Sequence, residues 1–218
     1  MKNWFPLAGF LLATALSCPA QIQVSKEPMH HNVFENKWVR VLDVHIPPGD
    51  TSLIHKHSTP SVFLVLTNTK TGSQVIVEPA KIRLTEGNIW FEGFYDKPRI
   101  HRVWNSDTSE FHVIDMELLN KEPRPIDPPL DIKSFTLLLD EKPVRGYRFK
   151  LPVQSTIQLP RRNAPILVIA LTDTGGGITA NDKPLVKKGD FLFFDAGSNI
   201  AFINKGKADG DYALFELK

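Results

Sequence analysis

Gly49-Asp50-Thr51-Ser52-Leu53-Ile54-His55-Lys56-His57, met farther along by His101-Arg102-Val103-Trp104-Asn105, is the stretch on which the reading of this chain turns. Residues two apart on a β-strand project to the same face, so His55 and His57 can both point into the interior of a sheet structure. Two imidazoles side by side on one face form a natural chelating pair for a transition metal. A third ligand has to come from a neighbouring strand, and His101 is the candidate.

Working outward, short apolar runs alternate with Gly, Pro, Asn and Asp. Strands are expected at Trp38 to Val44, Ser61 to Thr67, Gln74 to Glu78, Gly87 to Phe91, Arg99 to Trp104 and Phe111 to Leu118. No long stretch keeps a helical period, so the class is all-β, as a sandwich or barrel. The 218 residues suffice for one large or two small domains, and 42% hydrophobic with 23% charged residues is globular composition. A net charge of +2, with the charges dispersed, gives no footprint for a nucleic-acid partner.

The second half echoes the first. Ile46-Pro47 matches Leu151-Pro152, and Phe63-Leu64-Val65-Leu66-Thr67 matches Val168-Ile169-Ala170-Leu171-Thr172, both at an offset of 105 residues. Farther on, Gly87 pairs with Gly189 and Asn105 with Asn204, which together suggest a duplicated β-unit. Between the copies, Pro123, Pro125, Pro128 and Pro129 make residues 120–133 read as a stiff linker. The expected organisation is a targeting segment at 1–20, an N-terminal lobe at 21–119, the linker, and a C-terminal lobe at 134–218.

The spacing Gly-x5-His-x-His, then Gly87, then His101-x3-Asn105, resembles the two signature motifs of the cupin superfamily. That resemblance implies two barrels of the double-stranded β-helix (jelly-roll) type, a bicupin, with a divalent metal held by His55, His57 and His101. Two departures matter. The glutamate usual four residues after the second histidine is replaced by Ser61, and Phe94-Tyr95-Asp96-Lys97-Pro98 replaces a Pro-x-Gly turn. The implied site is three neutral imidazoles with open positions on the ion, with iron favoured over manganese, nickel, copper or zinc. A vestigial, metal-free site is the competing reading. In the second lobe Pro160, Arg162 and Ile200 stand where the histidines stand in the first, so that lobe reads as structural.

The activity implied is a metal-dependent dioxygenase acting on a small molecule. The alternatives are a non-catalytic cupin binding a small molecule or sugar, and a metal-dependent carbohydrate isomerase or lyase. Arg99 shares the strand face of His101 and is a candidate anchor for a substrate carboxylate, although an arginine at a barrel mouth or in a surface pair is the commoner case. Glu92 is the nearby carboxylate that could serve as a fourth ligand. His45 and His112 are expected in paired core or surface roles, and His30 and His31 to offer at most an adventitious metal contact.

Lys2 followed by the apolar run Trp4 to Leu16 and small residues reads as a signal peptide cleaved after Ala20. A lipid anchor on Cys18 is the alternative, and both imply export to a periplasm or the outside with no transmembrane span in the mature chain. Cys18 is the only cysteine, so any metal must be held by His and carboxylate. A second-lobe sheet left exposed would suit a homodimer.

Overall fold

The computed structural model describes residues 21–76, 78, 79, 81–84 (backbone only) and 89–218. The targeting segment, Cys18 and Gly87 lie outside the described residues. Within them no helix is long and apolar enough to cross a membrane.

The first half contains β1 (Ile22–Gln23), β2 (His30–Glu35), β3 (Val39–Ile46), β4 (His55–His57), β5 (Ser61–Val65), β6 (Lys70–Val75), β7 (Lys81–Leu84), β8 (Ile89–Glu92), β9 (Arg99–Asn105) and β10 (Phe111–Leu118). The second contains β11 (Phe135–Glu141), β12 (Val144–Leu151), β13 (Ser155–Leu159), β14 (Ile166–Ala170), β15 (Ile178–Ala180), β16 (Lys183–Pro184), β17 (Phe191–Phe194), β18 (Ile200–Asn204) and β19 (Gly210–Leu217). The strand expected at Gln74 to Glu78 starts earlier, at Lys70, because it pairs with β9 through Thr71 and Asn105.

Four sheets result, ordered β1-β4-β9-β6-β7, β2-β3-β10-β5-β8, β11-β12-β19-β14-β17 and β13-β18-β15-β16. The second and third are copies in register as well as order. Ile46 pairs with Phe111 as Leu151 pairs with Gly210, and Leu64 pairs with Ile114 as Ile169 pairs with Ala213. The two asparagines perform the same task. Asn105 Nδ2 donates to Ile46 O and Ser109 O at 2.9 and 2.7 Å, and Asn204 Nδ2 to Leu151 O and Ala208 O at 3.0 and 2.9 Å. Each amide clamps the end of one strand to the turn leaving another. The asparagine of His101-x3-Asn105 therefore builds the turn and stays away from the chemistry.

Alternation along the central strands separates three cores. Phe111 and Val113 of β10 face the first-lobe interior with Leu42, Val44, Ile46 and Val65. Ile114, Met116 and Leu118 face the other way, against Leu167, Ile169, Ala213, Phe215 and Leu217. The interior of the second half is filled by Phe149, Leu159, Ile200, Phe202 and Leu214. A strand buried on both faces reads as a continuous apolar run, as in β14 and β5 after Ser61, whereas β19 is buried throughout although it carries Asp211 and Glu216. Residues 120–133 carry no strand, and Leu130 and Ile132 pack against the second-half core.

Where the second half aligns with the histidine strand, the match Pro160 to His55 needs a correction of one residue. His55 pairs with His101, and the residue pairing with Ile200 is Leu159. Thr51 bridges Trp104 before β4 begins, and the pairing shifts by one residue between that bridge and β4. In the second half β13 runs without interruption from Ser155. Arg162 accordingly is no counterpart of a ligand; it turns to the buried Glu216.

Candidate metal centre

β4 and β9 are adjacent and antiparallel, with His55 opposite His101 and His57 opposite Arg99. The Gly49 turn, at φ +80° in the left-handed region that suits glycine, feeds the chain toward β4. The register brings the three rings together: His55 and His101 centroids lie 4.6 Å apart, His57 and His101 5.0 Å, and His55 and His57 5.0 Å. All three are buried, His55 completely.

His55 and His101 are held by Nδ1, whereas His57 Nδ1 is buried without a hydrogen-bond partner and only approaches a carboxylate. His55 Nδ1 lies 2.8 Å from Leu53 O, His101 Nδ1 lies 3.0 Å from Ser73 Oγ, and His57 Nδ1 lies 3.4 Å from Asp115 Oδ2. That leaves Nε2 as the inward nitrogen of each. His55 Nε2 and His57 Nε2 are 3.1 Å apart, and His101 Nε2 is buried with no hydrogen-bond partner. Burial first, then the charges of His30 and His57, pushes the His55 pKa down to about 3. Burial, then His57 and His55, also pushes His101 down. Both rings are neutral near pH 7, with lone pairs available.

Sequence reasoning missed a fourth imidazole. His30, at the start of β2, is buried with its ring 4.6 Å from that of His55 and 6.4 Å from that of His57. Ring nitrogens of His30, His55 and His57 all lie within 4.8 Å of one another. The signal in the sequence was Glu27-x2-His30, a carboxylate one turn before a histidine, and in the structure the two are hydrogen-bonded.

The other candidates are placed as follows. Ser61 is buried and donates to Thr59 O, away from the histidines. Glu92 pairs with Arg99 and accepts from Trp90 Nε1 at 3.0 Å. Arg99 also lies over the Phe94 ring, 5.7 Å from its centroid, so its charge is already partnered at the mouth of the site. Phe94, with a φ of +52° that L-residues rarely adopt, stacks on His57 at 5.6 Å. The rings line a cavity of about 1070 Å³ whose walls include Phe63, Trp90, Phe94 and Asp115.

A second cluster lies on the outer face of β3 and β10. His45 and His112 stack at 4.1 Å, and both approach Asp43, with His45 Nδ1 on Glu110 at 2.8 Å. Burial would lower His45, but the hydrogen bonds to Glu110 and Asp43 raise its pKa above the ordinary 6.5. Such a histidine adds stability that is complete below its unfolded pKa and lost as pH rises through the folded value. Thermal stability is therefore expected to fall as pH rises from the ordinary histidine value through the raised one, and His45→Gln to flatten that fall in scanning calorimetry.

No family model matches the sequence, and no curated protein matches it. Solved structures do resemble it. Salicylate 1,2-dioxygenase from Pseudoaminobacter salicylatoxidans, crystallised as an adduct with gentisate, superposes with a TM-score of 0.59 at 10% identity, over 84% of this chain and 70% of that one. YhhW from Escherichia coli gives 0.63 at 14% identity, over 88% and 89%. A cupin 2 conserved barrel domain protein from Leptotrichia buccalis gives 0.52 at 10% identity, over 85% and 86%. With its histidines on paired strands inside a β-sandwich and these proteins as neighbours, the chain has the cupin fold.

Proposed function

We propose that the first lobe binds one divalent transition metal through His55, His57 and His101, and that the protein is a metal-dependent dioxygenase of a small molecule. The observation that carries this reading is the unpartnered, buried His101 Nε2, on a ring whose centroid lies 4.6 Å from that of His55 and 5.0 Å from that of His57. A buried nitrogen without a partner costs about 1–3 kcal/mol, and a cation shared with His55 and His57 would relieve that of His101. The donor set fits: three imidazoles, two of them fixed from behind by Leu53 O and Ser73 Oγ, suit iron and its neighbours and leave positions open. Bound there, iron(II) would supply the redox chemistry between substrate and dioxygen.

The residues around it define what enters. Phe63, Trp90 and Phe94 exclude water and suit a small, largely apolar or aromatic molecule. Arg99, exchanging Glu92 for a substrate carboxylate, would orient an anionic one. The salicylate dioxygenase likeness supports this class of substrate without specifying the compound.

The test is elemental analysis of tag-free protein beside a His55→Ala/His57→Ala double variant. Near-stoichiometric metal in the wild type and none in the variant is expected, with oxygen uptake on small phenols or aromatic acids. Metal absent from the wild type after anaerobic reloading would defeat the proposal. Saturating metal at about 100 times its dissociation constant should raise stability by about 2.7 kcal/mol. Melting temperature should therefore drop on chelation in the wild type and stay put in the double variant.

A further inference from the structure

In this fold a metal held by three neutral imidazoles keeps its full double charge inside the protein, and something must balance it. The obvious carboxylates do not. Ser61 carries none, and Glu92 is engaged by Arg99 and Trp90. Two other carboxylates are buried at the site, each behind a histidine. Asp115 stands behind His57, and Glu27 stands behind His30.

Glu27 is fully committed. Its Oε2 accepts the Nδ1–H of His30 at 2.5 Å and the Met29 N–H at 2.8 Å, and its Oε1 accepts the Leu53 N–H at 3.0 Å. The carbonyl of that same Leu53 orients His55. One residue, Leu53, thus connects Glu27 to a metal-facing ring on one side, while Glu27 holds His30 directly on the other. With Nδ1 bound to Glu27, His30 has only Nε2 left, and the ring lines the cavity that holds the other three.

We propose that His30 is a fourth imidazole ligand of the metal, and that Glu27 supplies from behind it the negative charge that Ser61 lacks. The proposal rests on the metal-binding reading above. Donation of the His30 Nδ1–H to a buried carboxylate raises the basicity of Nε2, so this ligand carries more negative character than a free imidazole. Glu27 and Asp115 together then neutralise the ion, with neither touching it. The N-terminal segment before β2 becomes part of the site: β1 pairs parallel with β4 through Ile22 and His55, and Glu27 follows it closely.

The experiment uses the mature protein loaded with cobalt(II). X-ray absorption counts the imidazoles, the visible spectrum reads coordination number, and chelator competition gives the dissociation constant. Four imidazoles are expected in the wild type and three in His30→Ala, with affinity weakened at least tenfold and an altered visible spectrum. Glu27→Gln should weaken binding about 10- to 100-fold while the imidazole count stays at four. Three imidazoles in the wild type would overturn the proposal without any variant having to fold. So would a His30→Ala protein with the wild-type spectrum and affinity. A wild type that binds no cobalt defeats the metal reading itself, a different result from binding with three imidazoles.

Discussion

Replacing Glu216 with alanine is expected to lower the free energy of unfolding by about 3–5 kcal/mol in urea titrations, although Glu216 is nowhere near the histidines. It is fully buried, and three groups converge on it: Arg162 Nε at 2.5 Å, Arg145 Nη1 at 3.3 Å and the Tyr147 hydroxyl at 3.2 Å. Removing one partner of a buried ion pair leaves the other charge without compensation, which costs far more than the pair contributed. The first lobe supplies the control. Glu117 occupies the equivalent strand position and accepts from Arg40, as Glu216 accepts from Arg145. Arg40 is partly exposed and keeps Glu35 when Glu117 is lost, whereas Arg162 would retain backbone carbonyls of Asp127 and Pro128 and a distant Asp127 carboxylate. Glu117 is also pushed up in pKa by burial and by the neighbouring Asp115, partly offset by Arg40, so its removal relieves a repulsion as well. Glu117→Ala should therefore cost less than half as much as Glu216→Ala. Equal losses would mean that the cluster around Glu216 is no more demanding than the single pair of Glu117 with Arg40.

The contrast between these lobes explains how much was readable from sequence. The period-2 pattern and turn residues mark most strands, and Asn105 with Asn204 mark equivalent turns, because both signals are local. His55, His57 and His101 are legible for a related reason: i, i+2 spacing fixes one face, and a single adjacent strand brings the third ring. His30 is different. It enters through the pairing of β2 with β3 and of β1 with β4, and no local period encodes which strands meet. The one-residue misplacement of Pro160 has the same origin, since an offset carried along the chain cannot see the register shift between Thr51 and His55. The proline-rich segment 120–133 reads as spacer by composition, yet its carbonyls at Asp127 and Pro128 serve Arg145 and Arg162. Proline leaves backbone carbonyls free to accept, and here buried guanidinium groups use them.

Phe215→Ala should cost about 3–5 kcal/mol and, more tellingly, should destabilise the lobe in which Phe215 does not reside. Phe215 lies on the outer face of β19, fully buried between the two central sheets among Val41, Leu64, Met116 and Leu167. That core belongs to both halves equally: strip away either sheet and the other exposes a continuous apolar face, too large for a stable soluble surface. Unfolding of one half therefore withdraws support from the other, and one cooperative transition is expected. The tryptophans permit a clean test, because among the described residues they are Trp38, Trp90 and Trp104, all in the first half. Tryptophan fluorescence of the chain from Gln21 onward thus reports on the first half and, through Trp38, on the shared core, while far-UV dichroism reports on all sheets. Coupling requires that Phe215→Ala shift both midpoints equally. Were fluorescence to keep its wild-type midpoint while dichroism split in two, the halves would be independent units. The second would then be dispensable to the site. If they move together, the lobe without histidines has a function after all: its packed core holds β3, β10 and β5 in the register that places Asp115 behind His57.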